Sequence, residues 1–409
     1  MRTPSPLQWL GGIYSILVSL WTQKNPVRVI LTSFHGRGYR GNTRVLYEAL
    51  LDHPYLEPVW LSTDHELVRI LRSRFGDRAA YIAHSPAGIQ KLASAGTILF
   101  THGTSDYPFL FLPRSSIRIQ TYHGLPTKRG EYLRPGSDQS PGYLHRKILE
   151  YRFRPISYFL STSPLVSQIF SSRFGLRDDQ LLETGFPAYD PLIRENRGKT
   201  KLYNRLNNPP RFEQVILYAP TYRKLKCTRW LPFEDRNPDK LDQFLDHHNS
   251  LLILRPHPND KIRKSGWIDQ SDRIIIADHS RFEDVNLLIA ASDVILTDYS
   301  SIFLEGLLRD IPPVFIPYDL DTYERGTPLP YDEMTPGPHV TTQAELLDAI
   351  GQAFIQPDKN AEDRERVREQ FFSVVDDQST ERLIQFLEEQ SGFQKQSSEK
   401  QFAESEDSM

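Results

Sequence analysis

The sequence predicts an α/β fold made of two Rossmann-like, doubly wound domains that face each other across a cleft. The chain of 409 residues is long enough for two domains, since one domain takes roughly 100–200 residues. Short β-branched runs alternate with helical segments, which is the pattern of parallel α/β layers. The alternation stops at a charged, proline-containing stretch near the middle of the chain and then starts again. The sequence therefore predicts two successive domains of the same class.

The first predicted domain covers residues 25–195. Helices are predicted from Asn42 to Leu51 and from His65 to Phe75, where apolar residues recur at helical spacing. Between and after them lie short apolar runs that are typical of buried strands. These predicted strands are Val27–Leu31, Leu56–Leu61, Thr97–Phe100, Ile117–Thr121 and Tyr158–Ser161.

The second predicted domain covers residues 205–387. It follows a linker that we place at the charged run Arg194–Lys201 and the turn-forming Asn207–Pro210. Residues 388–409 form a tail rich in Ser, Gln, Glu and Lys, a composition that predicts disorder. The predicted strands of this half are Val215–Tyr218, Leu251–Leu254, Ile274–Ile276, Val294–Leu296 and Pro313–Ile316.

Residues 1–24 form a separate N-terminal segment. The run from Leu7 to Trp21 is mostly apolar and carries no charge, but it is shorter than the roughly 20 residues that a spanning helix needs. Trp9, Tyr14 and Trp21 are residue types that favour a membrane interface. We predict an interfacial or monotopic membrane segment. The alternative is a buried helix that packs on the first domain.

Composition excludes several function classes. The formal net charge of −3 gives no general attraction to nucleic acid, so any anion-binding surface must be local. A single cysteine, Cys227, excludes an intramolecular disulfide, a cysteine zinc site and an iron–sulfur cluster. The low cysteine count agrees with a reducing cytoplasm.

Polar clusters follow several predicted strands directly. In parallel sheets ligands bind beyond the carboxyl ends of the strands, so these clusters are the candidate site. Ser300 and Ser301 also open a helix, where free backbone N–H groups and the helix dipole favour an anion. An ordinary capped helix is the alternative for that segment alone. The clusters are Thr121–Gly130, Leu217–Arg223, Leu254–Pro258 and Thr297–Ser301.

Taken in order, the clusters resemble the CDP-glycerol glycerophosphotransferase family, which builds teichoic-acid-type poly(polyol phosphate) chains. The likeness runs from about Val27 to Tyr323 and includes the segments Ser33–Asn42 and Tyr318–Tyr323. The resemblance implies the two-domain arrangement called GT-B. It also implies a CDP-glycerol or related CDP-polyol donor, a polyprenyl-linked acceptor, and no cofactor.

His123 is the predicted catalytic base, because an imidazole can take a hydroxyl proton near neutral pH. It matches the histidine of the family's His-Gly-Thr-Pro motif, although Leu125 stands where that motif has threonine. Lys128 is predicted to neutralise phosphate charge on the acceptor side. A turn-stabilising histidine is the alternative for His123. A second His-Gly sequence, at His102, follows another strand. One interpretation is that His102 lines the same cleft.

His257 is flanked by prolines that fix the backbone. The resemblance implies that His257 contacts the donor phosphates or stabilises the leaving nucleotide, which makes it the second predicted catalytic residue. Arg255 and Arg223 are predicted phosphate ligands, since guanidinium groups suit phosphate oxygens. The alternatives are a rigid turn with an incidental histidine and, for Arg223, a solvated surface side chain.

The serines at 300 and 301 are predicted to hold the donor pyrophosphate. Asp298 is predicted to orient their turn by accepting backbone N–H bonds. Glu305 lies four residues after Ser301, on the same helix face. By similarity to GT-B enzymes it would accept the ribose hydroxyls, with a carboxylate that merely suits the helix dipole as the alternative.

Two further motifs receive weaker interpretations. The glycines of Gly36–Gly41 are spaced wrongly for a dinucleotide fingerprint; the loop would present amides to an anionic acceptor or form a flexible turn. Asp319-Leu-Asp321 imitates a metal motif, but it occurs in the resembled family without an assigned metal role. We predict no metal site there.

The sequence thus predicts an enzyme of the class that transfers substituted phosphate groups. It would move a polyol phosphate from CDP-glycerol to a hydroxyl of a lipid-linked acceptor, releasing CMP, in teichoic-acid-like polymer synthesis. Its predicted location is the cytoplasmic face of the plasma membrane. Two alternatives remain open: a nucleotide-sugar GT-B glycosyltransferase, and a catalytically silent nucleotide-binding membrane scaffold.

Overall fold

The protein is described by a computed structural model. It describes residues 6–127, 142–144, 147, 153, 155–207, 211–221, 229–257, 268, 271–320 and 326–392. Within this part of the chain the strands form two sheets, one of seven strands and one of five, and every strand pair is parallel. We call the elements around the larger sheet the first unit and those around the smaller sheet the second unit. The predicted α/β class with two parallel sheets is confirmed.

The strands of the first unit lie in the order β3-β2-β1-β4-β5-β6-β7. The strands predicted from sequence are present within two residues of their expected bounds. Sequence reasoning missed β3 and β7, which are too short to carry a periodic signal. The bounds are β1 Asn25–Leu31, β2 Glu57–Ser62, β3 Ala80–Ile82, β4 Ala95–Phe100, β5 Ile117–Gln120, β6 Tyr158–Leu160 and β7 Leu181–Leu182.

The strands of the second unit lie in the order β10-β9-β8-β11-β12. The predicted strands of this half are all confirmed. Each is an apolar run of the kind that parallel sheets bury, although Ile275 and Ile276 of β10 are partly exposed. The bounds are β8 Gln214–Tyr218, β9 Ser250–Leu254, β10 Ile274–Ile276, β11 Val294–Thr297 and β12 Pro313–Phe315.

Helices connect the parallel strands and cover both sheets, as parallel crossovers require. The two helices predicted in the first half are confirmed at Asn42–Leu50 and His65–Phe75. The helices are α1 Pro6–Trp21, α2 Asn42–Leu50, α3 His65–Phe75, α4 Pro86–Ala93, α5 Pro164–Phe174, α6 Asp190–Arg194, α7 Gly198–Arg205, α8 Pro238–His247, α9 Asn286–Ala291, α10 Ile302–Leu307, α11 Tyr331–Met334, α12 Gln343–Ile355, α13 Ala361–Phe371 and α14 Ser379–Ser391.

The C-terminal helix α14 packs on the first unit although it follows the second in the chain. The Asp190 carboxylate accepts hydrogen bonds from the backbone N–H groups of Ser379 (3.0 Å) and Thr380 (2.7 Å), at the start of α14. Near its end, the Phe386 ring contacts that of Tyr158 with centroids 5.0 Å apart. The predicted boundary at residue 388 therefore falls inside this helix, while the division into domains stays a prediction.

Helix α1 packs on the first unit through small residues. A Cβ at Gly12 would lie 2.6 Å from the Phe109 carbonyl oxygen, and the Ser15 hydroxyl accepts a hydrogen bond from the Phe111 N–H group at 2.9 Å. The opposite face exposes large apolar side chains, including Leu20 (71% exposed) and Trp21 (89% exposed). Among the described residues, no helix is long and apolar enough to cross a membrane.

Candidate functional site

The strand order places two crevices where ligands are expected. In an open parallel sheet, neighbouring strands whose connections run in opposite directions leave a crevice at their carboxyl ends. In the first unit this point lies between β1 and β4, and in the second between β8 and β11. The segments that follow these strands carry His35, His102 and the Asp298–Ser301 turn. Of the four predicted polar clusters, Leu217–Arg223 and Thr297–Ser301 follow the strands of the second crevice, and the other two follow the neighbouring strands β5 and β9.

The two crevices meet at the His123 loop. A Cβ at Gly124, whose φ is +155°, would lie 3.9 Å from the Ser301 hydroxyl oxygen. Three residues later, the Thr127 hydroxyl donates a hydrogen bond to the Tyr299 carbonyl oxygen at 3.3 Å. Residues of the predicted base cluster and of the predicted pyrophosphate cluster are thus neighbours across the cleft.

His123 is exposed, and its ring orientation is fixed by contacts on two sides. Its Nδ1 lies 3.1 Å from the Thr101 carbonyl oxygen, so Nδ1 carries the proton and donates. The ring stacks on that of His102, with centroids 4.1 Å apart and an interplanar angle of 4°. With the proton on Nδ1, Nε2 is the nitrogen that can accept a proton from a substrate hydroxyl.

His102 belongs to the same cluster, and the structure places both candidate histidines together. Its Nδ1 lies 2.9 Å from the Thr101 hydroxyl, which donates to the Asp106 carboxylate at 2.9 Å. Asp106 is buried and also accepts a hydrogen bond from the backbone N–H group of His35 at 2.7 Å. The His35 ring contacts that of His102 at 4.4 Å. Sequence reasoning missed His35 and Asp106.

Strained backbone accompanies this cluster. Phe34, His35 and Tyr122 have φ values of 48°, 61° and 56°, in the left-handed region that costs non-glycine residues energy. Such conformations persist where the surrounding structure holds them, and they cluster at functional sites. Here the residues with positive φ include Phe34 and Tyr122, whose rings contact that of His123. The centroids of their rings lie 6.3 Å and 4.3 Å from the centroid of the His123 ring.

On the second unit, Arg255 is buried and held by the protein. Its guanidinium donates to the Ala277 carbonyl oxygen at 2.8 Å and to Nδ1 of His279 at 3.1 Å. Burial lowers the pKa of Arg255 to about 10, so the side chain stays cationic at neutral pH. Burial and the charge of Arg255 lower the pKa of His279 to about 4, so His279 is neutral. The exposed His257 follows two residues after Arg255.

The Asp298 carboxylate accepts hydrogen bonds from backbone N–H groups, as the sequence predicts. Oδ1 of Asp298 accepts hydrogen bonds from the backbone N–H groups of Thr221 at 2.7 Å and Tyr299 at 2.6 Å. The expectation that a serine side chain caps the following helix is wrong. Ser301 has φ −67° and ψ −9°, and its hydroxyl accepts no capping hydrogen bond, because side-chain capping needs an extended backbone at that position.

Glu305 is buried at the bottom of this crevice, with 9% of its surface exposed. Its Oε1 accepts a hydrogen bond from the Tyr189 hydroxyl at 3.2 Å. Its Oε2 is buried and has no hydrogen-bond partner among the described residues. Burial raises the pKa of Glu305 to about 7. Tyr189 comes from the first unit, so sequence reasoning, which placed it beside the linker, missed it as a site residue.

Two predicted site residues, Lys128 and Arg223, lie outside the described residues. So does Asp321, from the motif at which no metal site is predicted. Within the described part of the chain, no group of three or more His, Cys, Asp or Glu side chains could hold a metal ion.

The fold and the site define a class of protein, and comparison with known families identifies that class. Residues 14–389 match the family described as CDP-Glycerol:Poly(glycerophosphate) glycerophosphotransferase. The chain belongs to this family, which confirms the resemblance found in the sequence.

Particular relatives agree with this assignment. The chain is 29% identical over 398 residues to the teichoic acid glycerol-phosphate transferase of Staphylococcus aureus (strain NCTC 8325 / PS 47), covering 92% of this chain and 96% of that one. It is 28% identical to the teichoic acid poly(glycerol phosphate) polymerase of Bacillus subtilis (strain 168), covering 79% of this chain but 43% of that protein.

Solved structures agree in fold. A histidine-to-asparagine variant of the wall teichoic acid polymerase TagF, soaked with CDPG, has a TM-score of 0.75 at 21% identity, covering 96% of this chain and 100% of that one. The UDP-bound MnaA of S. aureus has a TM-score of 0.54 at 14% identity, covering 90% and 97%. At these identities the likeness concerns the fold alone.

Proposed function

We propose that this chain transfers glycerol phosphate from CDP-glycerol, or a similar CDP-polyol, to a hydroxyl of a lipid-linked acceptor, in the synthesis of a teichoic-acid-like polymer. Membership of a glycerophosphotransferase family supports the reaction type. The observation that carries the proposal is the approach of the His123–Gly124 loop to Ser301 across the cleft. This approach supports a reaction in which His123 accepts a proton next to serines that bind the pyrophosphate.

On the acceptor side, His123 acts as general base. The Thr101 carbonyl keeps the proton on Nδ1, so Nε2 takes the proton of the attacking hydroxyl. The new bond forms between that oxygen and the β-phosphorus of the donor. The bond from the β-phosphorus to the bridging oxygen breaks, and CMP leaves with the electron pair. Positioning and charge neutralisation carry most of such a transfer.

On the donor side, Ser300 and Ser301 hold the pyrophosphate, with His257 and the cationic Arg255 beside the leaving nucleotide. The Asp298 carboxylate fixes their turn through its two backbone hydrogen bonds. Glu305 accepts the ribose hydroxyls with Oε2, the oxygen that lacks a partner among the described residues. Lys128 and Arg223 remain proposed phosphate ligands on the strength of the sequence alone.

The GT-B arrangement, with residues 25–195 and 205–387 as its two domains, is our proposal for how donor and acceptor meet. Two separate parallel sheets whose polar strand ends approach each other support it. Such an arrangement lets each unit hold one substrate, so that the reaction takes place only where the two faces meet.

We place the enzyme at the cytoplasmic face of the plasma membrane, bound as a peripheral or monotopic protein. The support is the outer face of α1, where Leu10, Leu17, Leu20 and Trp21 are more than half exposed. An apolar helix face of this kind can lie in the headgroup region without crossing the bilayer. Lipid-linked acceptors would then lie close to the first unit, on which α1 packs.

A nucleotide-release assay tests the proposed function against its two alternatives. Purified protein is incubated with a lipid-linked acceptor and, in parallel, with CDP-glycerol, CDP-ribitol or UDP-sugars. Acceptor-dependent release of CMP supports the proposal. Release of UDP would instead establish a glycosyltransferase, and release of neither nucleotide would leave the nucleotide-binding scaffold.

A further inference from the structure

Arg40 lies at the end of the glycine-rich loop of the first unit and has an unusual environment. Its guanidinium carbon lies 3.7 Å from the centre of the Phe34 ring. The backbone N–H group of Arg40 donates to the Ser33 hydroxyl at 3.4 Å. The guanidinium itself makes no hydrogen bond or ion pair with any described residue, and its buried Nε has no partner there. Stacking on Phe34 therefore holds a cation that has no direct hydrogen-bond acceptor among the described residues, although the charge of Glu283 acts on it from a distance.

An unpaired guanidinium in such a position is costly. Arginine carries five N–H donors, and a buried donor without an acceptor destabilises the folded state. Burial lowers the pKa of Arg40, as it lowers the pKa values of Arg118 and Arg255. Those two differ from Arg40 because they donate to the carbonyl oxygens of Leu112 and Ala277. Arg40 has no such anchor.

The location of Arg40 points to the acceptor that it lacks. On one side, its stacking partner Phe34 contacts the rings of His102 and His123. On the other side, its charge acts together with that of Arg255 to lower the pKa of His279. Arg40 is thus stacked on a ring that contacts the proposed base of the first unit, and its charge acts on Arg255 of the second unit.

We propose that Arg40 binds the phosphoryl group in transfer, through the non-bridging oxygens of the β-phosphate of the donor. This inference rests on the proposed function. As the acceptor oxygen bonds to the β-phosphorus and CMP departs, negative charge is spread over these oxygens. A guanidinium already in place and partly shielded from water stabilises that charge without reorganising. The ground-state nucleotide is held by other residues, so Arg40 contributes chiefly to the transition state.

The test compares Arg40→Gln and Arg40→Lys with Arg37→Gln, an exposed arginine of the same loop. CMP release gives kcat and KM for CDP-glycerol, calorimetry gives the Kd of the donor, and melting curves show whether each variant folds. For Arg40→Gln we expect kcat to fall roughly 10²–10³-fold, with KM and Kd within about threefold of wild type. Arg40→Lys should retain an intermediate kcat, and Arg37→Gln should match wild type.

A second experiment tests whether the guanidinium group itself is required. Added guanidinium ion should raise the kcat of Arg40→Ala and leave Arg37→Ala unchanged. A folded Arg40→Gln with wild-type kcat would overturn the inference, and so would a loss confined to KM and Kd. If wild-type protein itself released no CMP, the proposed function would fall first and this inference with it. Wild-type release combined with an unaffected Arg40→Gln would overturn only the role of Arg40.

Discussion

The two faces of the cleft differ in how they hold their polar groups. On the first unit, the ring of His102 stacks on that of His123 and contacts the tilted ring of His35, and His35 and His123 are exposed. On the second unit, Asp298 and Glu305 are buried, and backbone N–H groups or a tyrosine hydroxyl bind their carboxylates. The histidine cluster of the first unit is therefore accessible, whereas these two carboxylates of the second unit are enclosed and fixed.

This difference matches two different chemical tasks. A base must meet a hydroxyl brought by an acceptor, so an exposed imidazole with one defined tautomer suits the first face. A charged donor must be held without reorganisation, which buried and oriented dipoles do best. The comparison teaches that removing a group from the first face should slow the reaction, while removing one from the second should weaken donor binding.

The largest effect is expected for His123→Ala. Loss of a positioned base should reduce turnover by roughly 10²–10⁴-fold, while the Kd of CDP-glycerol changes little. His102→Ala should have a smaller effect, because it removes the ring that stacks on His123, and His102→Phe should restore part of the loss. CMP release and calorimetry measure both quantities. If His102→Ala abolished turnover and His123→Ala did not, the base would be His102.

A smaller effect, on binding, is expected from the double variant Ser300→Ala with Ser301→Ala. One hydrogen bond to a charged group contributes about 1.5–3 kcal/mol, so the loss of even one such bond should raise the Kd of CDP-glycerol roughly 10–100-fold. The Kd of cytidine, which lacks phosphate, should stay nearly constant. Isothermal calorimetry with both ligands decides the point. Equal weakening of both would show that these serines do not contact the phosphates.

The pH dependence of donor binding tests the enclosed face further. The pKa of Glu305 is about 7, and the ionised carboxylate is the better acceptor for ribose hydroxyls. If only the ionised form accepts them, the affinity for CDP-glycerol should fall about tenfold between pH 8 and pH 6. Glu305→Gln should bind more weakly at pH 8 and vary much less with pH. A wild-type Kd constant over this range would remove Glu305 from the donor site.

The same pKa predicts the opposite trend for stability without ligand. Because burial raises the pKa of Glu305 above its usual 4.5, the folded state favours the neutral acid. That contribution is present below pH 4.5 and is lost as the pH rises through about 7, by up to about 3 kcal/mol. Chemical denaturation of wild type and Glu305→Gln at pH 5 and pH 8 measures it. A difference between the two proteins that did not grow with pH would contradict this assignment.

The smallest effect on turnover is expected for the exposed outer face of α1. Leu20→Glu with Trp21→Glu places charge on exposed positions, so folding should be unaffected. Vesicle flotation should fall sharply, while turnover of a water-soluble acceptor analogue should stay within about twofold, because neither residue supports the fold. Ile355→Glu, at a position 75% exposed on α12, is the matched control. Equal flotation of all three proteins would contradict the membrane proposal.

The predictions from sequence succeeded where the signal is local. Strands such as Val294–Thr297 are continuous apolar runs, and the polar residues that follow them are adjacent in the chain. The family motifs, including His123 and the Ser300–Ser301 pair, are local in the same way. The wrong expectation about serine capping was also local, but it depended on the backbone conformation of Ser301, which the residue type does not determine.

The sequence by itself determined the α/β class, the polar strand ends and the family. Only the tertiary structure decided the strand order, and with it which of those ends lie together. Tyr189 and Glu305 are hydrogen-bonded although they are 116 residues apart in the chain. The charge of Arg40, in the first unit, lowers the pKa of Arg255 in the second. Such pairings depend on the crossover connections and on the packing between the two sheets. The residue pattern of a single segment does not encode either of them. For that reason Arg40, His35, Asp106 and Tyr189 became candidate site residues only when the fold was known.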